Sequence, residues 1–132
     1  KLPGLTKYRW RCILAGAVAT MPRLLKWGRV ETPICPACGE ADETCEHIFA
    51  HCRCYNAIRF RDLEPRVWEH LPDCLRLRGL MPNGTETMSA ELSLPTEADD
   101  RAGLAATVQY TLLDVLEERQ QYLPAELAPQ PR

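Results

Sequence analysis

Cys35, Cys38, His47 and Cys52 follow one another in the spacing C-x2-C-x8-H-x4-C. Thiolates and a neutral imidazole are the donors that close a tetrahedral shell around Zn²⁺, so this spacing reads as a structural zinc site. The stretch is dense in such donors, because residues 34–54 hold five of the seven cysteines and two of the three histidines. Between the first two cysteines, Pro36 pre-sets one backbone angle of a turn that aims both sulfurs at one point. Gly39 can leave that turn with a positive φ. The acidic run from Glu40 to Glu43 reads as solvent-exposed, and Asp42 or Thr44 is placed to cap a helix carrying His47. Ile48 and Phe49 then face the core.

The fourth donor is open on geometry alone. On a regular helix His47 and Cys52 are about 140° apart, whereas His47 and His51 are about 40° apart. Undisturbed helix geometry therefore favours His51, and Cys52 requires the helix to tighten or end. Cys45 and Cys54 are further spares.

The run CPACG-EADET-CEH-IFAHC resembles the zinc-binding region that lies C-terminal to the polymerase core in reverse transcriptases of non-LTR (LINE-type) retrotransposons. Cys35, Cys38, Gly39, Glu43, Thr44, His47 and Cys52 match that pattern, and the upstream ATMPRLLKWGRVETPIC is similar to the segment before it. The likeness runs from about residue 7 to residue 54. It implies Cys52 rather than His51 as the fourth ligand, because the family uses a terminal cysteine. It also implies an accessory module that helps grip an RNA template or target DNA beside a polymerase core.

Charge is distributed unevenly along a chain whose formal net charge is only −2. The first 30 residues carry Lys1, Lys7, Arg9, Arg11, Arg23, Lys26 and Arg29 and no acid, whereas residues 79–132 carry three arginines against nine acids. The basic head is the part suited to an anionic partner, so Lys7, Arg9, Arg11, Arg23, Lys26 and Arg29 are the candidate nucleic-acid contacts. Trp27 lies among these cations and is expected to pack against the zinc unit. The odd cysteine count, clustered beside histidines, fits metal better than disulfides and implies a reducing compartment. No apolar run reaches membrane-spanning length, and the start at Lys1 rather than Met suggests a fragment.

The elements that must position these groups read as mainly α: a small helical domain organised around one Cys-Cys-His-Cys zinc site, with a long C-terminal amphipathic helix. Residues 1–80 are expected to form the basic helical segment plus the zinc module. Within them a helix runs from Leu5 to Thr20, a short one from Pro22 to Trp27, and the His47 helix continues through Leu63. Arg53, Arg59 and Arg61 are assigned to cationic surface, and Cys12 and Cys74 to packing. Two short helices come next, Pro65–Leu71 and Pro72–Gly79. Residues 81–95 read as a loop or hinge. Residues 96–123 read as a helix capped by Thr96 that packs back on the module through Leu104, Val108, Leu112, Val115 and Leu116, with Glu117, Glu118 and Arg119 outside. Residues 124–132 are expected to form a disordered tail.

The functional expectation is a non-catalytic, zinc-stabilised module of a reverse-transcriptase-like protein that binds RNA or DNA. No Tyr-x-Asp-Asp polymerase motif occurs. The polymerase core of the same parent protein is a further partner, with no membrane and no small-molecule substrate, and the location is intracellular, nuclear ahead of cytoplasmic. Two alternatives compete: a zinc-held protein-interaction module without nucleic acid binding, and a thiol oxidoreductase using Cys35-Pro-Ala-Cys38. The second lacks the βαβ surroundings such a motif needs.

Overall fold

In a computed structural model the chain is described over residues 4–82, 94–124 and 127. The expected loop or hinge at 81–95 and the tail at 124–132 fall largely outside these residues. Among the described residues the architecture is helical, and extended chain pairs at a single isolated antiparallel bridge between Ile34 and Asp42. No helix among the described residues is long and apolar enough to cross a membrane.

Helix α1 spans Gly4–Ala15 and stops five residues short of the expected Thr20. The chain turns at Gly16, where the Gly16 and Ala17 N–H groups donate to the Ile13 and Cys12 carbonyls. Ile13 and Val18 are buried, Trp10 and Cys12 pack against the core from its edge, and Ala17 is exposed. Helix α2 spans Met21–Lys26 and buries Met21 and Leu24. The helix begun near His47 does not continue to Leu63. A π-helical turn covers His47–His51, a 3-10 turn Arg53–Tyr55, and a single α turn, α3, Asn56–Arg59. Helices α4 (Pro65–His70) and α5 (Asp73–Arg78) come after it, separated by Leu71 and Pro72 because proline cannot continue the first of them.

Helix α6 spans Ala98–Arg119 and ends in a 3-10 turn over Gln120–Tyr122. Its N-cap position is Glu97 with no side-chain cap bond, so Thr96 does not cap it. It packs against α1, α3, α5 and the π turn. Val108, Leu112, Val115 and Leu116 are buried, and Leu104 packs on the core from its edge. These side chains share one core with Cys35, Ile48, Phe49, Cys52, Tyr55, Trp68 and Leu75, so the metal-ligand candidates and the C-terminal helix are packed as one body.

Two residues assigned to the surface are in fact buried together. Glu43 is 0% and Arg119 4% exposed. The Arg119 guanidinium donates from Nε to Glu43 Oε2 at 3.0 Å and from Nη2 to Oε1 at 2.6 Å, and Nη2 also donates to the Ala19 carbonyl at 2.9 Å. The same Oε1 accepts the backbone N–H of Met21 at 3.0 Å, so this carboxylate caps α2 and meets the positive end of its dipole. One carboxylate thus joins the loop before His47, the start of α2 and the end of α6.

Removing one partner of a buried pair strands the other charge and costs about 3–5 kcal/mol. Arg119→Met is therefore expected to lower unfolding stability by about that amount, and Glu43→Gln combined with Arg119→Met to recover much of the loss. Urea melts of the four proteins of this cycle check the prediction. Additive losses would show that the two side chains do not act as a pair.

Candidate metal centre

The Cys35–Cys38 turn is built by short backbone bonds. The Cys35 N–H donates to the Ala41 carbonyl at 2.7 Å, the Gly39 N–H to the Cys35 carbonyl at 2.9 Å, and the Glu43 N–H to the Pro33 carbonyl at 2.9 Å. Gly39 takes φ +68°, the conformation that lets the chain double back. The Glu40 N–H donates to the Cys38 sulfur at 3.4 Å, which lowers the energy of a thiolate there. On the other side, Thr44 Oγ1 accepts the His47 N–H at 3.0 Å and caps the turn that carries the imidazole. Thr44 rather than Asp42 does this.

The donor atoms of Cys35, Cys38, His47 and Cys52 all lie within 4.8 Å of one another. Cys35 Sγ and Cys52 Sγ are 3.9 Å apart, and Cys38 Sγ and His47 Nε2 3.3 Å. Around a tetrahedral ion with metal–sulfur and metal–nitrogen bonds of about 2.3 and 2.0–2.1 Å, neighbouring donors sit about 3.5–3.8 Å apart. The residues fit such an ion, and the cluster could hold zinc. The Cys35–Cys52 sulfur separation is far from the roughly 2.0 Å of a disulfide, and all seven cysteines are free. Burial pushes the Cys35 and Cys52 thiols up and the His47 imidazole down. At Cys38 burial also raises the thiol, but the Glu40 N–H and the neighbouring thiols outweigh it and hold it low. Several thiolates this close together repel, and a divalent cation between them removes the conflict.

The π turn brings Cys52 into the cluster. The Cys52 N–H donates to the His47 carbonyl, five residues back, at 2.6 Å. Widening the turn to i→i+5 swings Cys52 round toward the His47 side, and Cys52 itself is extended and ends the helix. The sequence argument allowed for tightening or ending; the chain widens and then ends. His51 lies outside the cluster and is exposed, its Nε2 at 3.4 Å from Glu46 Oε1.

Widening the turn frees carbonyls that a regular helix would use, and buried side chains satisfy them. Arg59, assigned to the surface by sequence, is 1% exposed. Its guanidinium donates to the Ile48 carbonyl at 3.1 Å, to the Cys52 carbonyl, and to Asn56 Oδ1 at 2.6 Å. Trp68 Nε1 donates to the Phe49 carbonyl at 3.1 Å. Burial works against the Arg59 charge and the Cys52 thiol works for it. With a divalent ion bound, three thiolates and one imidazole would carry one net negative charge, which this buried cation would offset. The sequence carries one clue to these missed residues: Arg119 continues the apolar stripe of Val108, Leu112 and Val115 at helical spacing. Arg59 stands at the same spacing behind Ile48, Cys52 and Tyr55, although the continuous helix that the spacing implies does not form.

The basic residues of the head differ in exposure and in partners. Lys7 and Arg9 are half-buried, while Arg11, Arg23, Lys26 and Arg29 are exposed. Arg9 lines a cleft between α1 and α6 with Thr6, Tyr110, Leu113, Asp114 and Glu117, so acids face it. Arg23 donates to the Gly16 carbonyl at 2.9 Å and closes the end of α1. Arg53 pairs with Glu40, and Arg61 with Asp62 and Asp114. Trp27, expected to pack against the zinc unit, is instead 59% exposed.

Outer-shell groups of this kind are typically worth about 10–100-fold in metal affinity. Arg59→Met is expected to weaken zinc retention by about that factor in competition with a chromophoric chelator, with His51→Ala neutral and Cys52→Ser losing the ion. Equal loss from His51→Ala and Cys52→Ser would contradict the assigned donor set.

Residues 3–58 match the family model described as zinc-binding in reverse transcriptase. Comparison with curated proteins and with solved structures returned no match. The matched segment contains all four donors and stops one residue before Arg59, so α4, α5 and α6 lie beyond it. The match over residues 3–58 and the donor cluster together support a reverse-transcriptase-associated zinc-binding region, and so a zinc-binding module of a reverse-transcriptase-like protein.

Proposed function

We propose that the chain is a non-catalytic accessory module of a retrotransposon-type reverse transcriptase, held together by one Zn²⁺ on Cys35, Cys38, His47 and Cys52, and that it binds RNA or DNA through cations of α1 and α2. The observation that carries the reading is the convergence of three thiols and one imidazole within 4.8 Å of one another, inside the segment that matches the zinc-binding family. A bound ion would supply charge neutralisation and a cross-link between the Cys35 turn and the π turn. All four positions are protein donors, the closed arrangement of a structural rather than a catalytic site. Such an ion contributes on the order of 10 kcal/mol or more of apparent folding free energy.

The oxidoreductase alternative loses support from the same geometry, since His47 and Cys52 complete the donor set around the two thiols. The protein-interaction alternative places a partner on the acidic outer face of the final helix, where Glu117 and Glu118 are exposed, and oligonucleotide binding separates it from the nucleic-acid reading. The nucleic-acid reading rests on the absence of any acid in the first 30 residues and on the exposure of Arg11, Lys26 and Arg29. The adjoining polymerase core is the proposed neighbour in the parent protein.

Purified protein is expected to carry one zinc per chain and to unfold in strong chelator. Affinity for oligonucleotides should fall steeply with added salt, because each neutralised phosphate releases counterions. Charge reversal of Arg11, Lys26 and Arg29 should lower the slope of log affinity against log salt by about 0.7 for each single-strand phosphate that is no longer neutralised. Arg9 and Arg23 are left in place because they serve the fold. A zinc-loaded protein that binds neither strand type at low salt would leave the metal site standing and remove the nucleic-acid role.

A further inference from the structure

Trp27 occupies an unusual position for an indole. It is the C-cap of α2 and 59% exposed, although α2 has already buried Met21 and Leu24 against the core. Its backbone is held, because the Trp27 N–H donates to the Arg23 carbonyl at 3.0 Å, the Gly28 N–H to Leu25 at 3.0 Å and the Arg29 N–H to Leu24 at 2.8 Å. These paired bonds close the helix end and fix the ring's anchor. The other end of α2 is fixed by the buried Glu43 carboxylate. A large apolar surface is therefore presented in water on a rigid mount.

Its surroundings define what could cover it. Arg23, Lys26 and Arg29 flank it within about one helical turn either way, and the nearest acid in sequence is Glu31. Arg23 is partly engaged with the Gly16 carbonyl, whereas Lys26 and Arg29 are exposed and have no ion pair among the described residues. A partner that satisfies both features carries regularly spaced anions and a flat π face. A duplex offers the anions but keeps its base faces inside the stack, and a single strand offers both. An anionic membrane suits the patch less well, since an interfacial helix needs a broad apolar face and α2 has only Leu25 and Trp27 left outside.

We infer that Trp27 is a stacking platform for an unpaired base, with Lys26 and Arg29 holding the adjoining phosphates, so that this face selects single-stranded over duplex nucleic acid. The inference rests on the nucleic-acid reading above and specifies which form of the polymer is bound. Trp27→Ala should weaken binding of a short single-stranded oligonucleotide roughly 5- to 150-fold, the range for one stacked base, while Trp27→Phe retains most of the affinity. Trp27→Ala should leave both the salt slope and the affinity for a blunt duplex of the same sequence unchanged, because no phosphate contact is removed. Indole fluorescence should be quenched by the single strand in the parent protein and not in Trp27→Phe.

The outcomes separate cleanly. If neither strand form binds the parent protein, the nucleic-acid reading fails and the platform with it. If the parent binds but Trp27→Ala is neutral, or loses single strand and duplex alike, the platform alone is overturned. Trp27-dependent binding to phosphatidylserine vesicles without oligonucleotide binding would also overturn it. The exposure of Trp27 makes these variants safe to compare, and a urea melt matching the parent confirms that the fold is intact.

Discussion

The Glu43 carboxylate is the point on which three separate parts of the chain depend. It accepts the Met21 N–H that opens α2 and both arms of the Arg119 guanidinium that closes α6. Its own residue sits just before Thr44, which caps the turn bearing His47. A carboxylate with no exposure is costly unless its oxygens are paired, and here the cation, the helix dipole and the backbone donor all engage them. The position of α2, the end of α6 and the start of the His47 turn are therefore one constraint.

The metal-ligand cluster shows the same economy of parts. Cys52 reaches the other donors because the His47 turn is widened, and the widened turn is tolerable because Arg59 and Trp68 take up its carbonyls. Those two side chains lie beyond the segment that matches the reverse-transcriptase zinc-binding family. In this chain the donor cluster is thus supported by residues C-terminal to the matched segment: Arg59 and Trp68 hold the turn, and Arg119 neutralises the carboxylate beside it.

This linkage has a consequence for the surface. Helix α2 is held at its start by Glu43 and at its close by paired backbone bonds, so the backbone that carries its exposed cations and Trp27 is held relative to the donor cluster. The ion's proposed role is therefore not to touch a partner but to hold the frame on which the contacting side chains stand. Lys7 and Arg9, counted with the others from charge alone, are half-buried, and Arg9 faces acids of α6.

The sequence by itself determined the donor set as a short list, the helical class, and the apolar stripe of α6, because each depends on spacing within a few neighbouring residues. Cysteines two apart, a histidine after a capping threonine and a run of Val108, Leu112 and Val115 are local patterns with local physics. Burial of Glu43, Arg59 and Arg119 was decided only by tertiary structure, since a charged residue reads as surface until the partner that neutralises it arrives from a distant part of the chain. For the fourth donor the family resemblance already implied Cys52 over His51, and the tertiary structure supplies the physical reason. Regular helix geometry favours the histidine, and the widened turn that favours the cysteine exists only where buried donors from later residues satisfy the carbonyls it frees.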